Sequence, residues 1–259
     1  MGYGKHFKGG FNFKVIFISL MVIVIFVLGI GMYKAKANGK IVHITNQKQM
    51  KEDKILPQKS IKYKNKIWYA IGDSITAQDI YPKYLKEDLK LKSYVNDGII
   101  AQQLGTMADR VTSKKLAEVD LVTVFGGTND YRNGKELGTI NDDGNIDTFY
   151  GNIQKVINKI RIANPRVELV FMTPIKRGKF GDQPIYPSPN SKGIKLEQYV
   201  QAIKDVCSKN SIKVIDLFTL SGIDKSNLSI YTQDNLHPNE AGSKMIDLVI
   251  RSEEHTSEL

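Results

Sequence analysis

Four clusters of small and polar residues in this chain hold groups able to move a proton or bind an anion. They are Gly72-Asp73-Ser74-Ile75-Thr76, Asn96-Asp97-Gly98, Gly126-Gly127-Thr128-Asn129-Asp130 and Asp234-Asn235-Leu236-His237-Pro238-Asn239. A serine hydroxyl becomes a useful nucleophile only when a neighbouring base removes its proton. Histidine suits that task because its ordinary pKa lies near neutrality. The chain has four histidines. His6 precedes a long apolar run, His43 falls in a Lys-rich stretch and His255 lies in an atypical tail. His237 is left as the base for Ser74. Asp234, just upstream, could turn back to fix the imidazole tautomer and stabilise the imidazolium. The N–H groups of Ser74 and Gly98 and the side-chain amide of Asn129 could receive a tetrahedral oxyanion. Each such donor is worth roughly 2.7–4 kcal/mol in the transition state.

Each cluster has a plainer reading when taken singly. Gly-Asp-Ser after a strand is a common turn. Asp and Asn before a helix, with Pro238 in its first turn, read as a cap. The GGTND turn could bind phosphate at a helix start, although no lysine follows as in a P-loop. Four clusters in this order, with a single eligible histidine, favour acyl transfer through an acyl-Ser74 intermediate. The spacing of Asp73 and Asp130 suits no metal site, and both are expected to bond local backbone. Asp142, Asp143 and Asp147 do not match an EF-hand. Neither metal nor cofactor is called for.

Positioning these clusters requires a sheet. Short apolar runs at 67–71, 94–95, 121–125, 169–173 and 214–217 predict strands. They alternate with helical patterns near 82–89, 102–111, 148–163, 194–209 and 238–250. In the third of these, Phe149, Ile153, Val156, Ile157 and Ile160 share one face. Such alternation argues for a parallel sheet covered on both sides, with ligands bound at the carboxyl ends of its strands. All four clusters fall on that edge. The Pro- and Gly-rich segment 174–189 reads as a loop leaving the same edge, where Phe180 and Tyr186 could line a cleft or simply pack.

GDSIT, the Gly98 turn, GGTND and DNLHPN resemble, in order, the four blocks of the SGNH/GDSL hydrolase superfamily. The resemblance runs over about residues 68–250. It implies a flavodoxin-like three-layer α/β/α fold with a five-stranded parallel sheet. It also implies Ser74 as nucleophile and oxyanion donor, Gly98 and Asn129 as further donors, and Asp234 with His237 completing the triad. The serine sits in GDS rather than in a GxSxG elbow. One departure is visible: Ala101 stands near the place where many relatives carry a second glycine.

The rest of the chain bears on location. Behind a short basic segment, 1–14, the run VIFISLMVIVIFVLGIGMY at 15–33 is long enough to cross a bilayer as a transmembrane segment. It exceeds the roughly 7–15 apolar residues of a signal-peptide core, and lysines crowd the A-x-A site ending at Ala37. A retained anchor is favoured over cleavage, and both readings export the remainder of the chain. Residues 34–65 form a Lys-rich tether, and 66–250 one hydrolase domain. The last nine residues, RSEEHTSEL, carry no apolar period and look like a translated sequencing-adapter oligonucleotide, so 251–259 is expected to be non-native.

The net charge of +10 would suggest nucleic acid, but its distribution argues otherwise. Residues 1–66 hold 13 lysines against two acids, whereas the remainder holds 24 basic and 25 acidic residues. No nucleic-acid partner is expected. The lone Cys207 excludes an internal disulfide and, beside Val200, Ile203 and Val206, reads as a buried thiol. An exported, membrane-held esterase would meet short acyl or O-acetyl groups on cell-wall or capsular glycan, with lipid esters second. An O-acyltransferase using the same residues and a non-catalytic wall-binding module are the competing expectations.

Overall fold

The structure, a computed structural model, describes residues 62–256. The expected membrane segment at 15–33 and almost all of the tether lie outside the described residues. Among those described, no helix is long and apolar enough to cross a membrane.

Five parallel strands form one sheet: β1 (Ile67–Gly72), β2 (Ser93–Gly98), β3 (Leu121–Phe125), β4 (Glu168–Met172) and β5 (Lys213–Ile215). Their spatial order is β2-β1-β3-β4-β5, the order of flavodoxin-like sheets. The alternation of side chains explains the three layers. Tyr69, Ile71, Val122, Val124 and Phe171 enter one core, packed beneath α6 (Phe149–Ala163) and α7 (Leu196–Lys209). Trp68, Ala70, Leu121, Phe125, Val170 and Met172 enter the other, beneath α2 (Ile80–Asp88) and α10 (Glu240–Thr256). The central strands β1 and β3 thus bury both their faces. Thr148 starts α6 by accepting the Gly151 N–H through its hydroxyl. Cys207 is buried in the first core, and burial pushes its thiol up to about 12.

Three boundaries depart from expectation. β2 is longer than 94–95 and contains the Asn96-Asp97-Gly98 cluster expected to follow it. Pairing with β1, in register Ala70↔Asn96 through Gly72↔Gly98, carries these polar residues into the ladder at the sheet edge. The helix expected at 102–111 is broken into α3 (Leu104–Met107), a 3₁₀ turn (Ala108–Arg110) and α4 (Ser113–Leu116). Val111 is extended, and Thr112 caps a new helix start through the Lys115 N–H. Lastly, α10 runs beyond residue 250 to Thr256, and Arg251 forms ion pairs with Asp247 and Asp88.

Register sets the catalytic edge. Gly72 lies opposite both Gly98 and Phe125, and Phe125 opposite Met172, so successive turns leave the sheet at one level. Two short helices too brief to show a period begin there, α1 (Ser74–Ala77) and α5 (Thr128–Arg132). The end of β2 abuts α1 so closely that a Cβ on Gly98 would sit 2.2 Å from the Ala77 nitrogen. Gly98→Ala should therefore cost about 1–3 kcal/mol by overpacking against backbone. Ala101 is the reverse case, with φ of 60° in the left-handed region. There Ala101→Gly should gain up to about 1 kcal/mol, strain relief exceeding the added unfolded-state entropy. Urea unfolding of the two variants checks both signs.

Candidate active site

Asp73 follows β1 and caps α1, its carboxylate accepting the Ile75 N–H at 2.9 Å. This turn makes Ser74 the first residue of α1, with an N–H that has no acceptor within its helix. The Ser74 hydroxyl meets His237 Nε2 at 2.9 Å. On the other side of the imidazole, Nδ1 lies 2.7 Å from Asp234 Oδ2. All three expected triad residues are therefore brought together in the expected sequence of contacts.

The DNLHPN loop is built to hold that ring. Asp234 Oδ1 accepts the N–H groups of His237 and Leu236 at 2.8 and 3.1 Å, so one carboxylate fixes both the turn and the imidazole. Asn235 takes the left-handed φ of 67°, which asparagine tolerates. The Gln233 N–H donates to the His237 carbonyl, and Thr232 bridges Pro238. Asn239 closes the loop, its side chain donating to the Ile230 carbonyl and accepting the Gly242 N–H. Partial burial opposes ionisation of Asp234, but the bonds to His237 outweigh it and hold the carboxyl below its ordinary range.

Two of the expected oxyanion donors, Gly98 and Asn129, already have acceptors in this structure. The Gly98 N–H, expected as an oxyanion donor, donates here to Asn96 Oδ1 at 2.9 Å. Asn96, not singled out from sequence, also donates from Nδ2 to the Thr76 carbonyl at 2.7 Å and to Asp79 at 2.8 Å. Asn-x-Gly is a turn signal, and the side chain of Asn96 folds forward onto its own backbone in that way. Asn129 donates to the Gln102 carbonyl at 3.1 Å and, at a longer 3.4 Å, to Asp73 Oδ2.

Beneath these groups lie charges whose sequence context gives only local roles or none. Asp73, Asp130 and Arg177 are buried. Asp73 bonds local backbone as expected, whereas Asp130 accepts the N–H of Leu104, distant in sequence. Arg177 leaves β4 and reaches across to the Thr128 hydroxyl at 3.1 Å, with a second bond to Gln183. Burial lowers its pKa to about 10 despite the nearby Asp73 and Asp234 charges. An arginine in a Gly- and Pro-rich loop looks solvated in sequence, and no local signal marks it as buried. Of the two loop aromatics, Phe180 packs edge-to-face on His237, with centroids 5.3 Å apart. Tyr186 packs instead on Phe218.

Burial raises the Asp73 carboxyl to about 6 and the Asp130 carboxyl to about 7, in each case against the pull of a backbone N–H. Unfolded aspartate titrates near ~3.9. The folded chain thus keeps a proton at Asp130 that the unfolded chain has released. The associated stability is full below about pH 4 and is lost as pH rises through about 7. Asp130→Asn cannot ionise and keeps an acceptor for Leu104. Between about pH 5 and about pH 8 it should lose less stability than the wild type in urea unfolding; parallel losses would count against this account.

Comparison with known proteins agrees with the geometry. The family model for the GDSL-like Lipase/Acylhydrolase family matches residues 70–245. None of the curated proteins compared matches the chain. Among solved structures, a protein from Lactobacillus plantarum superposes with a TM-score of 0.68 at 24% identity, covering 74% of this chain and 98% of that one. A possible lipase from Chitinophaga pinensis gives 0.62 at 26%, covering 75% and 99%. The lipase/acylhydrolase from Enterococcus faecalis gives 0.56 at 20%, covering 73% and 94%, a likeness of fold. With a serine, an imidazole and a carboxylate in line at the edge of a 2-1-3-4-5 sheet, the chain belongs to the GDSL-like lipase/acylhydrolase family and is an ester hydrolase.

Proposed function

We propose that the chain removes short acyl groups, O-acetyl foremost, from cell-surface glycan through an acyl-Ser74 intermediate. The observation that carries the mechanism is the relay itself, 2.9 Å from Ser74 Oγ to His237 Nε2 and 2.7 Å from Nδ1 to Asp234. His237 takes the serine proton as Oγ attacks the ester carbonyl. The oxyanion is received by the Ser74 N–H, with the Asn129 amide and the Gly98 N–H turning to it from their resting acceptors. The imidazolium passes its proton to the departing alcohol oxygen, leaving the acyl group on Ser74. Water, deprotonated by the same ring, attacks that ester; the intermediate then expels Ser74 Oγ, which recovers its proton from His237.

The substrate class rests on location. The apolar run at 15–33 and the Lys-rich stretch after it support a single-pass anchor that holds the domain outside the membrane. A domain held there reaches wall or capsular polymer, and the near-neutral charge of residues 67–259 leaves no strong attraction to nucleic acid. Cleavage of the anchor would release the same enzyme outside the cell.

Ser74→Ala should lower hydrolysis of a short chromogenic ester by about 10⁴-fold or more, with an unchanged thermal transition. Undiminished turnover would refute Ser74 as nucleophile. Supplying a glycan acceptor and analysing products tests the destination of the acyl group. Free acetate is expected, and acetylated acceptor would make the chain a transferase.

A further inference from the structure

The family assignment leaves open which side of the ester this chain recognises. We propose that Phe180 forms the wall of the alcohol subsite and selects esters of ring-shaped, sugar-like alcohols. This deepens the function proposed above and rests on it.

The chemistry fixes which side of the substrate Phe180 can touch. The proton that His237 Nε2 takes from Ser74 must go to the departing alcohol oxygen, which has to come within hydrogen-bond reach of that nitrogen. The alcohol therefore lies against His237, and the acyl group lies away from it. Phe180 packs edge-to-face on this imidazole at 5.3 Å and 84°, and it is only partly buried. Its exposed part borders the space the alcohol must occupy.

Phe180 is also held there. The Gly178 N–H donates to the Asn235 carbonyl at 2.7 Å, and Asn235 Nδ2 donates to the Lys179 carbonyl at 3.2 Å. These bonds splice the residues preceding Phe180 to the loop that carries His237. A Cβ on Gly178 would come within 2.6 Å of the Leu228 side chain, so the strap lies close against its neighbour. On the far side, the Gln183 N–H donates to the Phe180 carbonyl, and Gln183 is gripped by the buried Arg177. An aromatic ring presents an apolar, electron-rich face. The axial C–H bonds of a pyranose suit such a face, whereas a methyl alcohol covers little of it.

The two half-reactions provide the test. Acylation involves the alcohol, but hydrolysis of acetyl-Ser74 does not, because the alcohol has already left. Full-length wild type, Phe180→Ala and Phe180→Leu would be compared on methyl acetate, phenyl acetate and a monoacetylated methyl glucopyranoside. Deacylation of acetyl-Ser74 would be followed separately by single turnover. In Phe180→Ala, kcat/KM on the acetylated sugar should fall about tenfold, with a change within about twofold on methyl acetate and in the deacylation rate. Phe180→Leu should fall between wild type and Phe180→Ala on the sugar. Equal loss on all three esters, or deacylation slowing in step, would overturn the proposal and make Phe180 a support for the imidazole. If Ser74→Ala is inactive and the Phe180 variants show no dependence on the alcohol, only this inference falls. If Ser74→Ala hydrolyses as wild type does, the underlying function falls as well.

Discussion

The contact between Ser74 Oγ and His237 Nε2 joins residues 163 positions apart, and much of the architecture serves to keep it at 2.9 Å. Its two ends are fixed by different means. Ser74 is placed by the sheet: β1 ends at Gly72, Asp73 caps the next turn, and α1 packs against the end of β2. His237 belongs to no regular element. It is placed by Asp234, whose carboxylate accepts from two backbone N–H groups and meets the imidazole. A proton relay tolerates little error in position, so the irregular end needs more ties than the regular one.

Those ties continue into the charges below the edge. Arg110 lies under the first two turns, donating to the Asp97 carbonyl at 2.9 Å and to the Gly72 carbonyl at 3.4 Å, and its Nε pairs with Asp97 at 3.2 Å. Those carbonyls are one residue before Gly98 and two before Ser74, so one guanidinium spaces the two turns. Arg177 does the same between Thr128 and the loop that holds Phe180. Drawing such charges out of water, fully for Arg177 and partly for Arg110, costs desolvation energy. At this edge they donate to backbone carbonyls and to the Thr128 hydroxyl where the strands give way to turns. The raised carboxyls of Asp73 and Asp130 reflect the same dry surroundings.

Regular periodicity was legible in the sequence, and tertiary detail was not. The apolar runs at 121–125 and 148–163 located β3 and α6 to within a residue because burial on repeating faces leaves a pattern. The polar end of β2 left none, since an edge strand is held there by its neighbour's register rather than by its own side chains. The start of α3 is tied by Asp130 accepting the Leu104 N–H from across the site, a contact that spacing cannot reveal. The base was legible by elimination, because only one histidine was eligible, and the rest of the triad through the resemblance of the four blocks. Asn96 hid within a turn motif, and Arg177 looked like any loop arginine. Phe180 and Tyr186 were equivalent in sequence and were separated only by what each ring packs upon.

The paired state of the donors around Ser74 bears on catalysis under the proposed mechanism. At rest, the Gly98 N–H is held by the neutral amide oxygen of Asn96 and Asn129 by the carbonyl of Gln102. An ester carbonyl is also neutral, and exchanging one such acceptor for another changes little free energy. An oxyanion is different: hydrogen bonds to a charged acceptor are about twice as strong as those between neutral groups. The exchange becomes favourable as charge develops on the substrate oxygen, which places the gain in the transition state rather than in the bound ester. A site arranged this way binds its ester weakly through the carbonyl and must recognise it elsewhere. The aromatic wall on the alcohol side of His237 is a surface suited to that recognition.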